Sequence, residues 1–131
     1  LRGLRVLVAE DDPVNMMITV ALLEEWGVHV TEASDGEAVL EAVQRAEGEG
    51  APFDAVLMDL HMPRLSGPQT ARALHERHGA RTPPIIALTA AALVHEREEA
   101  LRAGMDAFLT KPVDPEQLRS VLTSTCVSPA R

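Results

Sequence analysis

The sequence has 131 residues, of which 46% are hydrophobic, and a formal net charge of −8. This length is typical of one domain with its own core, and the acidic balance argues against nucleic-acid binding, which needs a basic face. The single cysteine, Cys126, excludes an internal disulfide and favours a reducing compartment such as the cytoplasm. No signal peptide and no apolar run near the ~20 residues of a membrane helix is visible, so no membrane contact is expected.

The chain opens with an apolar segment, Leu4–Ala9, that is typical of a buried parallel strand. Asp12 followed by proline predicts the start of a first helix, which Gly27 is expected to end. Val28–Glu32 alternates in hydrophobicity, which favours an edge strand. Ser34-Asp35-Gly36-Glu37 then reads as a capping box in which Ser34 caps a second helix.

The middle of the chain repeats this alternation. Glycines at 48 and 50 are expected to end the second helix, and Ala55–Met58 is predicted to be a buried strand. A second capping box at Ser66-Gly67-Pro68-Gln69 predicts a third helix that ends at Gly79. Ile85–Leu88 is predicted to be the fourth strand.

The last part of the chain predicts two more helices and one strand. A fourth helix is placed within Leu93–Ala103, and Ala107–Leu109 is predicted to be the fifth strand. Asp114 before Pro115 predicts the start of a fifth helix. The tail Ser124–Arg131 has little pattern and is expected to fray.

Strand and helix therefore alternate five times, which predicts an α/β domain with helices on both faces of a parallel sheet. We expect one domain over residues 1–131 with a core at about 4–123. In such sheets the working site lies beyond the carboxyl ends of the strands. Four strands are followed there by chemically capable residues, namely Glu10, Asp11 and Asp12, then Asp59, then Thr89, then Lys111.

Several carboxylates at one edge repel one another unless positive charge offsets them. Lys111 supplies one charge, and a hard divalent cation is the natural second. Mg²⁺ prefers oxygen ligands, so Asp11 and Asp59 are expected to bind it directly, Glu10 through a water, and the backbone carbonyl of His61 alongside them.

This set of groups suits phosphoryl transfer to a carboxylate, with Asp59 as acceptor. Lys111, the Thr89 hydroxyl and the cation would each take one oxygen of the phosphoryl group in its loose transition state. A glycine-rich nucleotide loop and a paired Ser–His nucleophile are both lacking.

Taken one by one, these residues also have structural explanations. Asp12 is assigned to capping the first helix, and Glu10 with Asp11 could equally form a helix N-terminal turn. Thr89 alone could be a structural hydroxyl and Lys111 alone a solvated lysine. Their joint placement at the strand ends favours the phosphoryl site.

Other residues are given structural roles. The side chain of His61 is expected at the rim of the site, and His75 and His78 on the surface. The apolar residues of the first helix are all expected to pack in the core, namely Met16, Met17, Ile18, Val20, Leu22 and Leu23.

The chain resembles the receiver domain of two-component response regulators over about Leu4–Thr123. The resemblance rests on the stretches VLVAEDDPVN (6–15), ASDGEAVL (33–40), VLMDLHMPRLSG (56–67), PIIALTA (84–90) and GMDAFLTKPV (104–113). It implies a flavodoxin-like (βα)5 fold with strand order 2-1-3-4-5. The forms EDDPVN and GMDAFLTKP are most similar to receivers attached to hybrid sensor kinases.

The resemblance implies the same site as the residues do: Asp59 as phosphoacceptor, and Glu10 and Asp11 as the acidic pair that holds Mg²⁺. It adds that Thr89 and Phe108 form the switch and that the Lys111–Pro112 peptide is cis. Ser66 stands where an aspartate is common, and little effect is expected because both residues cap helices.

The resemblance also implies the partners. A histidine kinase or histidine phosphotransfer domain would donate the phosphoryl group, and a partner or parent-chain domain would read the face around Leu93–Leu122. The chemistry would be self-directed transfer and autodephosphorylation rather than enzymatic turnover. Two rivals remain: a small-molecule Mg²⁺-dependent phosphohydrolase, and an interaction module that works without phosphorylation.

Overall fold

A computed structural model describes residues 2–89, 94–111 and 113–126. In this part of the chain, strands and helices alternate along the sequence. Their bounds are β1 Arg5–Ala9, α1 Pro13–Glu25, β2 His29–Ala33, α2 Gly36–Gly48, β3 Ala55–Asp59, α3 Gly67–His78, a 3₁₀ turn Gly79–Arg81, β4 Ile85–Thr89, α4 Val94–Arg102, β5 Ala107–Thr110 and α5 Pro115–Cys126. None of the helices within these residues is both long and apolar enough to cross a membrane.

The five strands form one parallel sheet in the order β2-β1-β3-β4-β5, which confirms the predicted fold. The buried central strands place alternate side chains in two separate apolar clusters. Leu7, Val56 and Ile85 face the cluster that α2 and α3 cover, whereas Val6 and Leu57 face the one that α1 and α5 cover. Because both faces are covered, these strands are apolar throughout rather than alternating.

Four strands, β2 to β5, end one residue later than predicted, and in β3 and β4 the added residue belongs to the predicted site. Asp59 pairs with Leu88, and Thr89 pairs with Thr110, so both polar residues lie inside the hydrogen-bonded ladder. The sequence placed them after the strands because polarity suggested the end of the apolar run. The ladder holds their backbones, which fixes the direction of both side chains.

Three predicted helix starts, those of α1, α3 and α5, are confirmed, and that of α2 is wrong by a residue. The Asp12 carboxylate accepts from the N–H of Val14 at the start of α1, and Ser66 with Gln69 forms a capping box at the start of α3. At α2 the cap is Asp35 rather than Ser34, and its carboxylate accepts from the Ala38 N–H at 2.8 Å. An aspartate caps as well as a serine, and Asp35–Ala38 has the spacing this hydrogen bond needs.

The predicted tail begins too early. Helix α5 continues through Ser124 to Cys126, and the Ser124 hydroxyl donates to the Val121 carbonyl within the helix. Cys126 packs against the cluster under α1 and α5, which explains why the helix persists. Residues 127–131 lie outside the described part of the chain.

The prediction that all apolar residues of α1 lie in the core is wrong. Met16, Thr19 and Leu23 are the buried residues of α1, at helical spacing, and Val20 and Leu22 are partly buried against the same side of the sheet, as predicted. Met17 is 64% exposed and Ile18 is 49% exposed, because they lie on the opposite side of the helix. Helix α1 is apolar on more than one side, so periodicity did not identify its buried face.

Candidate functional site

The carboxyl ends of β1, β3 and β5 bring three charged side chains together. The Lys111 ammonium lies 2.7 Å from Glu10 Oε2 and 2.7 Å from Asp59 Oδ2. The residues Glu10 and Asp59 are only 3% and 5% exposed. Two buried carboxylates thus share one ammonium, which offsets part of their repulsion.

The backbone that carries these groups is held by hydrogen bonds that continue past the strands. The N–H of Glu10 donates to the Ala33 carbonyl, and the N–H of Lys111 donates to the Thr89 carbonyl at 2.8 Å. Gly67, at the start of α3, lies so close to β3 that a Cβ there would sit 2.5 Å from the Asp59 carbonyl oxygen. This close approach packs the start of α3 directly against the backbone of Asp59.

Asp11 completes an acidic cluster. Glu10, Asp11 and Asp59 each offer a carboxylate oxygen, and these oxygens all lie within 4.8 Å of one another. Asp11 is exposed, whereas the other two are buried, so the cluster opens toward solvent on one side. Hard oxygen donors at this spacing fit a Mg²⁺ ion, which keeps several of its own waters.

Electrostatics at the site follow from burial and from Lys111. Burial raises the pKa of Glu10 above its ordinary value, although hydrogen bonds from Lys111 and from the Asp12 N–H oppose the shift. Burial alone would lower the pKa of Lys111, but its hydrogen bonds to Asp59 and Glu10 outweigh it, so this pKa is raised. Lys111 therefore stays a cation.

His61 contacts Asp59 through its backbone, a contact that the sequence did not reveal. Its N–H donates to Asp59 Oδ1 at 3.1 Å. Its side chain is 73% exposed, as expected for a rim position, and Nε2 lies 2.9 Å from Glu96 Oε2 on α4. The loop after β3 is thus tied both to Asp59 and to α4.

Thr89 and Phe108 lie on neighbouring strands beside this cluster. Thr89 is 1% exposed, and both residues line a cleft of about 370 Å³ together with residues of α4 and α5. The Arg97 guanidinium stacks over the Phe108 ring, with Cζ 5.2 Å from the ring centroid. The two predicted switch residues are therefore close in space.

Two histidines far from the cluster have structural partners. His75 Nε2 lies 2.9 Å from the Gly104 carbonyl oxygen, and His75 is exposed as expected. The expectation that His78 lies on the surface is wrong, since its side chain is 9% exposed. Its Nδ1 lies 2.7 Å from a Glu47 carboxylate oxygen on α2, and this partner makes burial of the imidazole tolerable.

Two further features near the site were missed at the sequence level. The Leu65 N–H donates to the Pro63 carbonyl, which makes a γ-turn around Arg64 at a φ of +69°. Next to Lys111, a narrow cleft is lined by Asn15 and Ile18 of α1. Pro63 is a residue type that favours turns, but no sequence signal indicated that Ile18 is exposed beside the site.

Comparison with protein families gives one family for nearly the whole chain. Residues 6–123 match the family model of the response regulator receiver domain.

The predicted cis peptide at Lys111–Pro112 lies outside the described residues, because Pro112 is not described.

Relatives of this chain include large sensor kinases. It is 42% identical over 126 residues to the sensor histidine kinase GacS of Pseudomonas protegens, and 35% identical over 120 residues to the histidine kinase BarA of Escherichia coli. These alignments cover 92% of this chain but only 13% and 12% of those proteins. The chain thus spans about an eighth of the length of the curated relatives it matches.

Solved structures agree with the fold. The receiver domain of a Pseudomonas aeruginosa sensor histidine kinase, with a magnesium ion coordinated in its active-site cleft, is 39% identical with a TM-score of 0.81, over 96% of this chain and 99% of that one. The receiver domain of the Saccharomyces cerevisiae response regulator Ssk1, in complex with the histidine phosphotransfer protein Ypd1, is 27% identical with a TM-score of 0.85, over 99% and 93%.

Proposed function

Because the chain belongs to the response regulator receiver domain family, and so acts as a receiver in two-component phosphorelay signalling, we propose that Asp59 is its phosphoryl acceptor. One observation carries this assignment: the Lys111 ammonium lies 2.7 Å from Asp59 Oδ2. A fixed cation at this distance orients the carboxylate and meets the negative charge that a phosphoryl group brings.

The donor in the proposed reaction is a phosphohistidine. A carboxylate oxygen of Asp59 attacks phosphorus, the P–N bond breaks, and the imidazole leaves with the bonding electron pair. Lys111 and the Thr89 hydroxyl stabilise phosphoryl oxygens, whose charge is spread in the loose transition state. In the later loss of phosphate, water attacks phosphorus and the P–O bond to Asp59 breaks, which restores the carboxylate. This chemistry is self-directed and not the turnover of an outside substrate.

We assign the cation site to the carboxylates of Glu10, Asp11 and Asp59 and to the His61 backbone carbonyl. The cluster of three carboxylates supports it, as does the magnesium ion in the similar Pseudomonas aeruginosa receiver. When bound, Mg²⁺ offsets negative charge on the acceptor and on the phosphoryl oxygens. The ion would be held by Glu10, Asp11 and Asp59, whose negative charges repel one another when no cation is bound.

The proposed donor is a histidine kinase or a histidine phosphotransfer domain, as the similarity to GacS and to the Ypd1-bound receiver suggests. A contact surface for it lies beside the site. On α1, Val14, Met17 and Ile18 are 58%, 64% and 49% exposed, and Ile18 lines the same cleft as Lys111. An exposed apolar surface next to the acceptor suits a partner that must bring a histidine to it.

We propose that residues 1–131 form one receiver domain of a cytoplasmic protein, either the receiver segment of a hybrid sensor kinase or a single-domain response regulator. The face around Leu93–Leu122 is the proposed output surface, of which the cleft beside Phe108 is a described part. Thr89 and Phe108 are the proposed switch between the acceptor and this face.

The test is direct phosphorylation. The chain is incubated with acetyl phosphate and Mg²⁺ and its intact mass is measured. We expect the gain of one phosphoryl group, its loss when EDTA removes Mg²⁺, and its loss in Asp59→Asn. The control Asp54→Asn should keep the gain, because Asp54 lies before β3, at the other end of the strand from the cluster. A wild-type chain that gains no mass, or an Asp59→Asn variant that still does, would contradict the assignment.

A further inference from the structure

In the part of the chain that the structure describes, helix α4 has few apolar contacts with the rest of the domain. Among its described side chains only Ala100 is buried, and Leu101 is 56% exposed. An alanine side chain buries little apolar surface, so the described side chains of this helix gain less from the hydrophobic effect than those of helices that bury leucines. Its position therefore depends on the polar contacts that it makes.

Two successive residues of α4 make such contacts, one to the loop after β3 and one to β5. Glu96 Oε2 is 2.9 Å from His61 Nε2, in the loop that begins directly after Asp59. The Arg97 guanidinium stacks on Phe108, in the strand that leads to Lys111. The Glu96 side chain is only 17% exposed, so its contact is better shielded than an ordinary surface pair.

The same conformation uses both oxygens of the Asp59 carboxylate as acceptors. Oδ1 accepts from the His61 N–H, and Oδ2 accepts from Lys111. A phosphoryl group on either oxygen would disturb one of these hydrogen bonds. The loop at His61 or the end of β5 then has to adjust. Glu96 contacts that loop through His61, and Arg97 contacts β5 through Phe108.

We propose that Glu96 and Arg97 form a two-point clamp that positions α4 in the unphosphorylated conformation. They are positioning residues, which act through His61 and Phe108 and do not touch the phosphoryl group. Phe108 has no hydroxyl that could form a hydrogen bond, so stacking by Arg97 is the polar contact that holds this ring. The inference rests on the proposed function, since these residues would set the equilibrium between the unphosphorylated and phosphorylated conformations.

The clamp has a measurable consequence. A contact made in only one of two conformations biases the equilibrium toward that conformation. A phosphoryl analogue binds preferentially to the phosphorylated conformation. Removal of either contact should therefore increase the affinity for such an analogue by about threefold. If the two contacts act independently, the double variant should bind about ninefold more tightly.

The experiment titrates the full chain with beryllofluoride in the presence of Mg²⁺ and follows backbone amide signals by NMR. We expect Arg97→Gln and Glu96→Gln each to bind more tightly than wild type, and Arg97→Lys to be close to wild type because it keeps a cation over the ring. The matched controls are Arg102→Gln and Glu98→Gln, which remove the same charges from a pair on the same helix that touches neither His61 nor Phe108.

Two further measurements separate the clamp from a general loosening of the fold. Affinity for Mg²⁺ alone should be unchanged in the variants, and amide hydrogen exchange should rise in α4 but not in the central strands. Equal beryllofluoride affinity in Arg97→Gln and Arg102→Gln, or weaker affinity in Arg97→Gln, would overturn the clamp. A wild-type chain that does not bind beryllofluoride would instead overturn the proposed function.

Discussion

The Lys111 ammonium and the Asp59 carboxylate are 2.7 Å apart, and the same ammonium is 2.7 Å from Glu10. The lysine side chain is 16% exposed, so this three-charge contact is largely removed from water. Lys111 therefore keeps two buried carboxylates from facing each other without a cation. The same ammonium is the group that we propose contacts the phosphoryl oxygens during transfer.

Lys111→Met should consequently destabilise the domain by roughly 3 kcal/mol when Mg²⁺ is absent. Urea unfolding in EDTA measures the loss. The double variant Glu10→Gln/Lys111→Met should be more stable than Lys111→Met alone, because it leaves one buried carboxylate instead of two. Equal stability of the two variants would show that Glu10 and Asp59 do not repel each other once the ammonium is removed.

Mg²⁺ should stabilise the wild-type domain, because it binds a cluster that exists only in the folded chain. Asp11→Asn should raise the melting temperature in EDTA by relieving repulsion, and should lose most of the increase that Mg²⁺ gives the wild type. Thermal unfolding with and without Mg²⁺ tests both effects. Asp12→Asn is the control, since Asp12 caps α1 and should leave the response to Mg²⁺ intact. A full response in Asp11→Asn would remove Asp11 from the site.

Gly67→Ala should destabilise the domain by about 1–3 kcal/mol and slow phosphorylation by acetyl phosphate. The added Cβ would meet backbone atoms of Asp59 and Leu60, at 2.5 and 2.9 Å, and these cannot move without displacing the acceptor. Gly48→Ala, at the end of α2, is the control, because nothing lies within 4 Å of its added Cβ. Wild-type stability in Gly67→Ala would mean that α3 and β3 are less tightly packed than described.

Arg64→Gly should stabilise the domain by about 0.5–1 kcal/mol, although it removes a charged side chain. Arg64 has a φ of +69°, where L-residues other than glycine are strained, and its contacts to Asp35 and Glu37 are 3.8 Å long and exposed. Arg72→Gly, at an exposed position inside α3, should instead cost about 1 kcal/mol. Urea unfolding of both variants tests this opposite sign, and a loss of stability in Arg64→Gly would contradict strain in the γ-turn.

Ile18→Glu should slow phosphoryl transfer from a phosphorylated histidine phosphotransfer protein by about tenfold, because it places a charge on the proposed donor surface. Phosphorylation by acetyl phosphate should be unchanged, since that small donor needs no docking surface. Leu101→Glu, an equally exposed apolar position on α4, should affect neither reaction. Slower labelling of Ile18→Glu by acetyl phosphate would indicate damage to the site itself.

Much of the fold followed from local sequence signals. The apolar strands, the cap at Asp12 and the capping box of Ser66 and Gln69 were predicted and are confirmed. These features depend on neighbouring residues only, so a pattern along the chain is enough to reveal them. The shift of the α2 cap to Asp35 shows the limit, since two adjacent residues could both cap and the sequence did not distinguish them.

The sequence by itself determined which residues stand at the strand ends, because each apolar run ends at a polar residue. The carboxyl ends of parallel strands lie at one edge of the sheet, so these residues were expected to lie close together. Only the tertiary structure decided which residues touch. Lys111 bridges Glu10 and Asp59, and the His61 N–H donates to Asp59. Helix α1 exposes Met17 and Ile18, and Glu96 and Arg97 of α4 contact His61 and Phe108. These contacts join residues distant in the chain, and they depend on how helices rotate and pack against the sheet. A periodic pattern cannot specify that rotation when a helix is apolar on several sides, as α1 is, or when Ala100 is the one buried residue among its described side chains, as in α4.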